Sequence, residues 1–370
     1  MNVRRLIPTT AVAGAVVLGL TALSACSTSD AADGGDGDKL KVTASFYPMQ
    51  FLTERIGGEH VAVTSLTKPG VEPHDLELTP RQIGSISESD YVLYLKGIQP
   101  AVDDAIKQSG VKNTVDAATL TTLENHGSEV SGHDHGHEGE EKHADEHADE
   151  HGHEGEEKHA DEHADEHGHE GEEEHGHEEE APEEHSEGDG HNHGEEGGAD
   201  PHIWLDPVKY AEVAKGVGKS LEKADPDHAA DYKKNTDALV AELGELNTAY
   251  ETGLKNTSTK TFITTHSAFG YLAERYGLTQ QGIAGIDPEA EPSPARIQEI
   301  HTIAEKEKAT TVFFETLASD KTAKTLAKDT GLKTGVLDPL EGITDKSQGA
   351  DYIEVMESNL AALQKALGAK

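Results

Sequence analysis

Three histidines stand where a predicted strand gives way to a loop or a helix, and imidazoles at such positions can bind metal. His74 lies in the segment VEPHD downstream of a predicted strand, His202 lies in DPHIWLDP, and His266 directly follows the strand TFITT. Ligands of open parallel α/β sheets bind at the carboxyl ends of the strands, so all three imidazoles can converge on one cleft. Taken singly, such a histidine more often has a structural or surface role.

A carboxylate occupies a fourth position of the same kind. Asp338 lies in VLDPL, at the end of the last predicted strand. Three neutral imidazoles and one carboxylate form a closed set of donors that suits tetrahedral Zn²⁺. The sequence therefore predicts a zinc site built from His74, His202, His266 and Asp338.

The elements that must position these residues alternate between strand and helix, which predicts parallel sheets covered by helices on both faces. In the first half, predicted strands cover residues 40–46, 61–66, 91–95 and 111–115, and predicted helices cover 49–56, 80–87 and 101–108. In the second half, helices are predicted at 207–221, 268–276, 294–307, 320–330 and 351–367, and strands at 261–265, 282–286, 311–314 and 334–337. The second lobe thus repeats the architecture of the first.

One helical segment, at about 227–255, is much longer than an average helix and is a candidate bridge between the lobes. The predicted fold class is α/β, with two lobes that each hold a helix-covered parallel sheet, joined by one long rigid helix. The predicted divisions are a signal peptide (1–25), a tether (26–39), the first lobe (40–125), a low-complexity block (126–198), the rest of the first lobe (199–226), the linking helix (227–256) and the second lobe (257–370).

The low-complexity block holds 17 of the 23 histidines and 29 of the 71 acidic residues of the chain. Residues 135–150 read HGHEGEEKHADEHADE, and residues 151–166 repeat that string without a change. Tandem copies that contain no apolar residue larger than alanine cannot form a core, so the block is predicted to be disordered.

The spacing of the histidines in this block still suits metal. Histidines four residues apart share a face in helical turns, and His-Gly-His pairs suit an extended chain. We expect loose, multi-site binding, because a disordered chain must be ordered to form each site. The auxiliary metal-binding candidates are His135, His137, His143, His147, His151, His153, His159, His163, His167 and His169.

The N-terminus has the features of an export signal. Arg4 and Arg5 precede an apolar run, and the segment closes with Leu-Ser-Ala-Cys, which resembles a bacterial lipobox. Cys26 is the only cysteine, so an internal disulfide is impossible and lipidation of this residue is favoured. We expect a monomer exported and held by lipid on the outer face of the bacterial cytoplasmic membrane, at the cell surface or in the periplasm.

The formal net charge of -40 argues against docking on nucleic acid or on an anionic lipid surface. A zinc hydrolase is a second interpretation, because three histidines with an open fourth position can be catalytic. However, the chain contains no HExxH motif, and no spare carboxylate is clearly placed as a general base. We therefore expect a binding protein and not an enzyme.

Four ordered motifs carry a family resemblance over the chain from about residue 40 to its end, the block excluded. They are VEPHDLELTP (71–80), DPHIWLDP (200–207), THSAFGYLAERYG (265–277) and GVLDPLEG (335–342). In this order they resemble the metal-binding proteins of cluster A-I, the solute-binding lipoproteins of zinc and manganese ABC importers, and most of all the zinc-binding ZnuA type.

The resemblance implies that His74, His202 and His266 bind the metal. Manganese-type members have glutamate where His266 stands, so an imidazole there indicates zinc over manganese. The fourth position stays open between Asp338, Glu72 and water. The implied function is capture of Zn²⁺ in the cleft between the lobes and delivery to an ABC permease and its ATPase, with the block scavenging or buffering metal.

Two alternatives to this function stay open. One is a manganese-type importer binding protein. The other is a surface metal buffer or adhesin that acts through the histidine-rich block, for which the lobes would serve only as a platform.

Overall fold

The computed structural model describes residues 39–126 and 199–370. These residues form two four-stranded parallel sheets with flanking helices, which confirms the predicted α/β class with two lobes. None of the described helices is both long enough and apolar enough to cross a bilayer.

The first lobe is built on a sheet with strand order β2-β1-β3-β4. Its inner strands are buried and apolar, as in the segment YVLY of β3, because helices cover both faces. Its strands are β1 (Leu40–Ala44), β2 (Val61–Ser65), β3 (Tyr91–Tyr94) and β4 (Thr114–Asp116), and its helices are α1 (Tyr47–Gly57), α2 (Pro80–Ser87), α3 (Pro100–Ser109) and α4 (Pro207–Ala224).

The second lobe repeats this arrangement with strand order β6-β5-β7-β8. In both lobes the first strand of the sheet lies second in the order, so the carboxyl ends of corresponding strands offer equivalent ligand positions. Its strands are β5 (Thr261–Thr264), β6 (Thr279–Gly282), β7 (Thr311–Phe314) and β8 (Lys333–Val336), and its helices are α6 (Gly270–Arg275), α7 (Pro294–Lys306), α8 (Lys321–Thr330) and α9 (Tyr352–Leu367).

Helix α5 (Ala229–Leu254) runs for 26 residues, about 39 Å at the usual rise per residue. Its buried side chains recur every three or four residues and form one stripe. The helix packs against α1 and α4 of the first lobe and against α9 of the second. The Tyr250 hydroxyl donates to the Met356 carbonyl of α9 at 2.7 Å. One continuous apolar core therefore runs through both lobes along this helix.

The predicted strand at 282–286 is misplaced, because the structure has β6 at Thr279–Gly282. The sequence TQQG of β6 is polar because this strand lies at the edge of the sheet. Ile283 and Ala284, which lie within the predicted strand, are buried just beyond β6. Burial of apolar residues after a strand has ended gives the same sequence signal as the strand itself.

Candidate metal site

The three histidines predicted from the sequence lie together, each on a different segment. His74 is in the loop between β2 and α2, His202 precedes the short helical turn that leads into α4, and His266 follows β5. The ring centroids of His74 and His202 are 5.7 Å apart, and those of His202 and His266 are 5.6 Å apart. The site therefore brings both lobes together.

A carboxylate that the sequence reasoning missed, Glu341, lies at the centre of the three rings. Its Oε1 atom is 3.4 Å from Nε2 of His74, 3.2 Å from Nε2 of His202 and 3.4 Å from Nε2 of His266. Glu341 is fully buried, as is His202, and the His266 side chain is 2% exposed. Glu341 lies within the motif GVLDPLEG, but a buried glutamate after a proline turn has no signal that separates it from Asp338.

Two further carboxylates orient the histidine rings from behind. Asp200 Oδ1 lies 2.7 Å from Nδ1 of His202 and also accepts the His202 backbone N–H at 3.0 Å. Glu315 Oε1 lies 2.8 Å from Nδ1 of His266. A carboxylate on Nδ1 leaves Nε2 as the donor to a metal and fixes the orientation of the ring. Each of these two imidazoles is thus aimed at the centre of the site.

In the metal-free protein, contacts within the site shift the pKa values of two of the histidines and of Glu341. Burial lowers the pKa of His202, but contacts with Asp200 and Glu341 outweigh burial and raise it above the ordinary value. The pKa of His266 is raised well above its ordinary value, because the charges of Glu315 and Glu341 outweigh burial in the same way. Burial opposes ionisation of Glu341, but the three imidazoles hold its pKa well below the usual range.

Several buried polar atoms at the site have no hydrogen-bond partner among the described residues. They are Nε2 of His266 and one carboxylate oxygen each of Glu72, Glu315 and Glu341. Buried polar atoms without partners are rare in folded proteins, and a bound ion is one of the groups that satisfies them. Three imidazole nitrogens and one carboxylate fit a four-coordinate divalent metal.

Asp338, the predicted fourth ligand, is not brought into this cluster. Its Oδ1 atom accepts the Leu340 backbone N–H at 2.8 Å, and its Oδ2 atom accepts the Thr316 hydroxyl at 3.0 Å. Its own backbone N–H and carbonyl are both bonded to the Asn359 side chain. Asp338 therefore shapes the turn that presents Glu341.

This turn holds Leu340 in the left-handed region, with φ 59°. A side chain larger than glycine pays a steric cost in that region, so the surrounding structure must impose the conformation. Trp204, fully buried, donates its indole N–H to the Pro339 carbonyl at 2.7 Å and lies 5.1 Å from the His202 ring. The turn is thus fixed both by Asp338 and by a residue of the first lobe.

Glu72, the other candidate for the fourth position, lies beside the cluster. Its Oε1 atom accepts the His74 backbone N–H at 3.0 Å. Burial, and then the charge of Glu341, raise the pKa of Glu72 to about 9. The pKa of Glu341 is instead held low by the three imidazoles, so Glu341 is the stronger candidate for the fourth position.

The remaining predicted binding residues, Cys26 and the ten block histidines, lie outside the described residues. His126, which the sequence divisions place at the start of the block, belongs to the folded part. Its ring contacts Asp200 and Glu274.

The fold and the site together define a two-lobed α/β protein in which both lobes contribute side chains that could hold a metal ion. A sequence model of the ZnuA family, described as zinc-uptake complex component A, periplasmic, matches residues 42–366. The chain belongs to this family, as the sequence motifs predicted.

Relatives of known name agree with this assignment. The chain is 34% identical to the high-affinity zinc uptake system protein ZnuA of Bacillus subtilis over 350 residues, 93% of each protein. It is 32% identical to the zinc-binding lipoprotein AdcA of Streptococcus pneumoniae over 349 residues, which is 93% of this chain and 58% of AdcA. The chain thus spans a little over half of the length of AdcA.

A solved structure supports the same fold. The Zn(II)-bound ZnuA-like domain of Streptococcus pneumoniae AdcA is 28% identical, with a TM-score of 0.63, and the match covers 89% of this chain and 99% of that domain.

Proposed function

We propose that this protein captures Zn²⁺ outside the cytoplasmic membrane and delivers it to an ABC importer. The zinc ion is the cargo, and its ligands are His74, His202, His266 and Glu341. The observation that carries the proposal is the convergence of three imidazole Nε2 atoms within 3.4 Å of one buried carboxylate oxygen. The three similar proteins named above are zinc-binding or zinc-uptake proteins by name, which supports zinc as the cargo.

The donor set favours zinc over manganese. Imidazole nitrogens suit borderline ions such as Zn²⁺, whereas Mn²⁺ favours oxygen donors. Three nitrogens and a single carboxylate therefore select zinc. A protein donor at every tetrahedral position leaves none for a reacting water, which supports a binding function over hydrolysis.

Trp204 provides the test of the cargo. It is the only tryptophan of the chain and lies 5.1 Å from the His202 ring, so its emission reports on the cleft even when the histidine block is present. We expect chelator-buffered zinc to change the emission with a single saturating transition, and manganese to require a far higher free concentration. Equal responses to both ions would favour the manganese-type alternative, and no response to either would contradict the cleft site.

Delivery to a permease and lipid attachment at Cys26 are the parts of the proposal that need cells. A strain that lacks this protein should fail to grow under zinc limitation, and the full chain should restore growth. His74→Ala should not restore it if the cleft delivers the zinc. If the block is the functional part, as in the buffer or adhesin alternative, His74→Ala should restore growth and removal of residues 127–198 should abolish it. Cys26→Ala should release the protein from the membrane fraction.

A further inference from the structure

We propose that Glu124, His126 and Glu274 form a second zinc site, on the surface of the protein and separate from the cleft. One ligand atom from each of these residues lies within 4.8 Å of the others. None of them belongs to the cleft cluster. Glu124 and His126 lie just before residue 127, where the histidine-rich block continues, and Glu274 is on α6.

The His126 ring is oriented as the ring of a metal-binding histidine would be. Its Nδ1 atom is 3.1 Å from Oδ2 of Asp200, a fully buried carboxylate. Its Nε2 atom faces Oε2 of Glu274 at 2.7 Å and Oε2 of Glu124 at 3.9 Å. A carboxylate behind one ring nitrogen and two carboxylates in front of the other match the arrangement in which such rings bind metal.

The surrounding fold fixes His126 in this position. Its ring packs edge-on against Tyr271, with the centroids 4.5 Å apart, and its side chain is only 17% exposed. Gly270 permits this approach, because a Cβ atom there would collide with the Cβ and Cγ atoms of His126. The hydroxyl oxygen of Tyr271 also accepts a hydrogen bond from the Glu124 backbone N–H at 2.8 Å. Two of the ligands are therefore held before any metal arrives.

The charge at the cluster suits a divalent cation. Glu124, Glu274 and Asp200 contribute three carboxylates, and Lys209 contributes one positive charge through its contact of 2.6 Å with Oε1 of Glu124. With a neutral imidazole, the local charge is close to that needed to balance Zn²⁺. The lysine occupies one oxygen of Glu124 and leaves Oε2 on the side of His126. Imidazole with carboxylates is a donor set of zinc sites, and three protein donors leave room for water or a further ligand.

The two sites are linked through Asp200. Its Oδ2 atom holds His126, and its Oδ1 atom holds His202 of the cleft. A zinc ion bound at the surface would thus lie one carboxylate away from the cleft, on the edge of the folded lobes. This placement fits a site that receives zinc before the cleft does.

Residue-specific acylation in the full chain tests the proposal. Diethyl pyrocarbonate acylates neutral imidazole nitrogens, and peptide mass spectrometry reports His126 and His74 separately from the block. Buffered zinc should protect both residues. Glu274→Gln should raise the free zinc that half-protects His126 by about tenfold or more, and should leave the protection of His74 unchanged. Glu299→Gln is the matched control, since Glu299 lines a surface cavity that His126 and Glu274 also line but contributes no atom to the cluster.

The outcomes separate the two sites. Protection of His74 without protection of His126 would overturn the second site and leave the cleft intact. Protection of His126 that Glu274→Gln does not weaken would also overturn it, because the proposed ligand would then be irrelevant. Protection of His126 alone would support the second site and contradict the cleft. A misfolded Glu274→Gln protein would be recognised by loss of His74 protection, and Glu124→Gln then provides the same test.

Discussion

Glu341 and Asp338 lie three residues apart but have different proposed roles, and conservative substitutions can distinguish those roles. Glu341→Gln removes the anionic oxygen that three imidazoles face, so zinc affinity should fall by about 100-fold or more. Asp338→Asn keeps an oxygen for the Leu340 N–H and should cost at most about tenfold. Trp204 emission under buffered zinc measures both. Equal losses in the two variants would mean that Asp338 is itself a ligand.

The protons of the metal-free site make zinc binding dependent on pH. At the proposed site, zinc must displace protons from His202 and His266, whose pKa values are raised, so zinc affinity should fall with falling pH from a point above the ordinary value of about 6.5.

The same shifts set the stability of the metal-free protein. The raised pKa values of His202 and His266 stabilise the folded protein at any pH below the pKa of histidine in the unfolded chain. This contribution is lost as the pH rises through the pKa values that the two histidines have in the folded protein. The increase in Tm caused by a fixed free zinc concentration should therefore grow as pH rises above about 6.5. A zinc-induced shift that is constant across this range would contradict the predicted competition with protons.

At the scale of single elements, replacing each of two helical glycines with alanine should change the stability of the protein in opposite directions. Gly244 lies inside α5, and a Cβ atom there would meet nothing within 4 Å. Gly244→Ala should stabilise the protein by about 0.5–1 kcal/mol, because glycine has the greater backbone entropy to lose. Gly218 of α4 lies against Thr236 of α5, and a Cβ atom there would collide with the threonine hydroxyl.

Gly218→Ala should therefore destabilise the protein, by about 1–3 kcal/mol, the usual cost of overpacking. Urea unfolding of the two variants gives both values. If both alanines stabilise, α4 and α5 can separate freely, and the close contact at Gly218 does not constrain the fold.

The helices and strands also show which parts of the fold could be predicted from the sequence. Helix α2 begins at Pro80 as predicted, because Thr79 and Gln82 form a capping box that is visible in the sequence. The predicted position of β6 was wrong, because the polar residues of this edge strand precede Ile283 and Ala284, a buried apolar pair that belongs to no strand. Periodicity reports burial, and burial outside a sheet or helix gives no separate signal.

The candidate site, like the fold, could be predicted from the sequence only in part. The three histidines follow from their positions at the ends of strands, which a parallel sheet brings to one edge. The choice between Asp338 and Glu341 depends on the course of one turn, with Leu340 in the left-handed region. Asp338 supplies a local contact, through the oxygen that accepts the Leu340 N–H, but Asn359, Thr316 and Trp204, which are distant in the sequence, hold the rest of the turn. The local sequence could therefore indicate a turn at Asp338, but not that the turn would present Glu341 to the histidines.

At the scale of the whole molecule, the core determines how the two lobes unfold. One continuous apolar cluster contains Trp204 of the first lobe, Leu243 of the linking helix and Met356 of α9. Because α5 packs against both lobes, neither can lose its structure without exposing part of this shared core. We therefore expect a single cooperative unfolding transition of the lobes, although two separate sheets are present.

Two probes test this cooperativity. Trp204 emission follows the boundary between the lobes, and far-ultraviolet circular dichroism follows all helices, so their urea unfolding curves should coincide in the metal-free protein. The proposed zinc ligands come from both lobes and converge only in the folded protein, so zinc should move both curves together to higher urea. If the curves separate, with the emission changing first, the lobes part before their helices unfold. In that case α5 links two independent domains, and zinc should bring the curves back together because it bridges them.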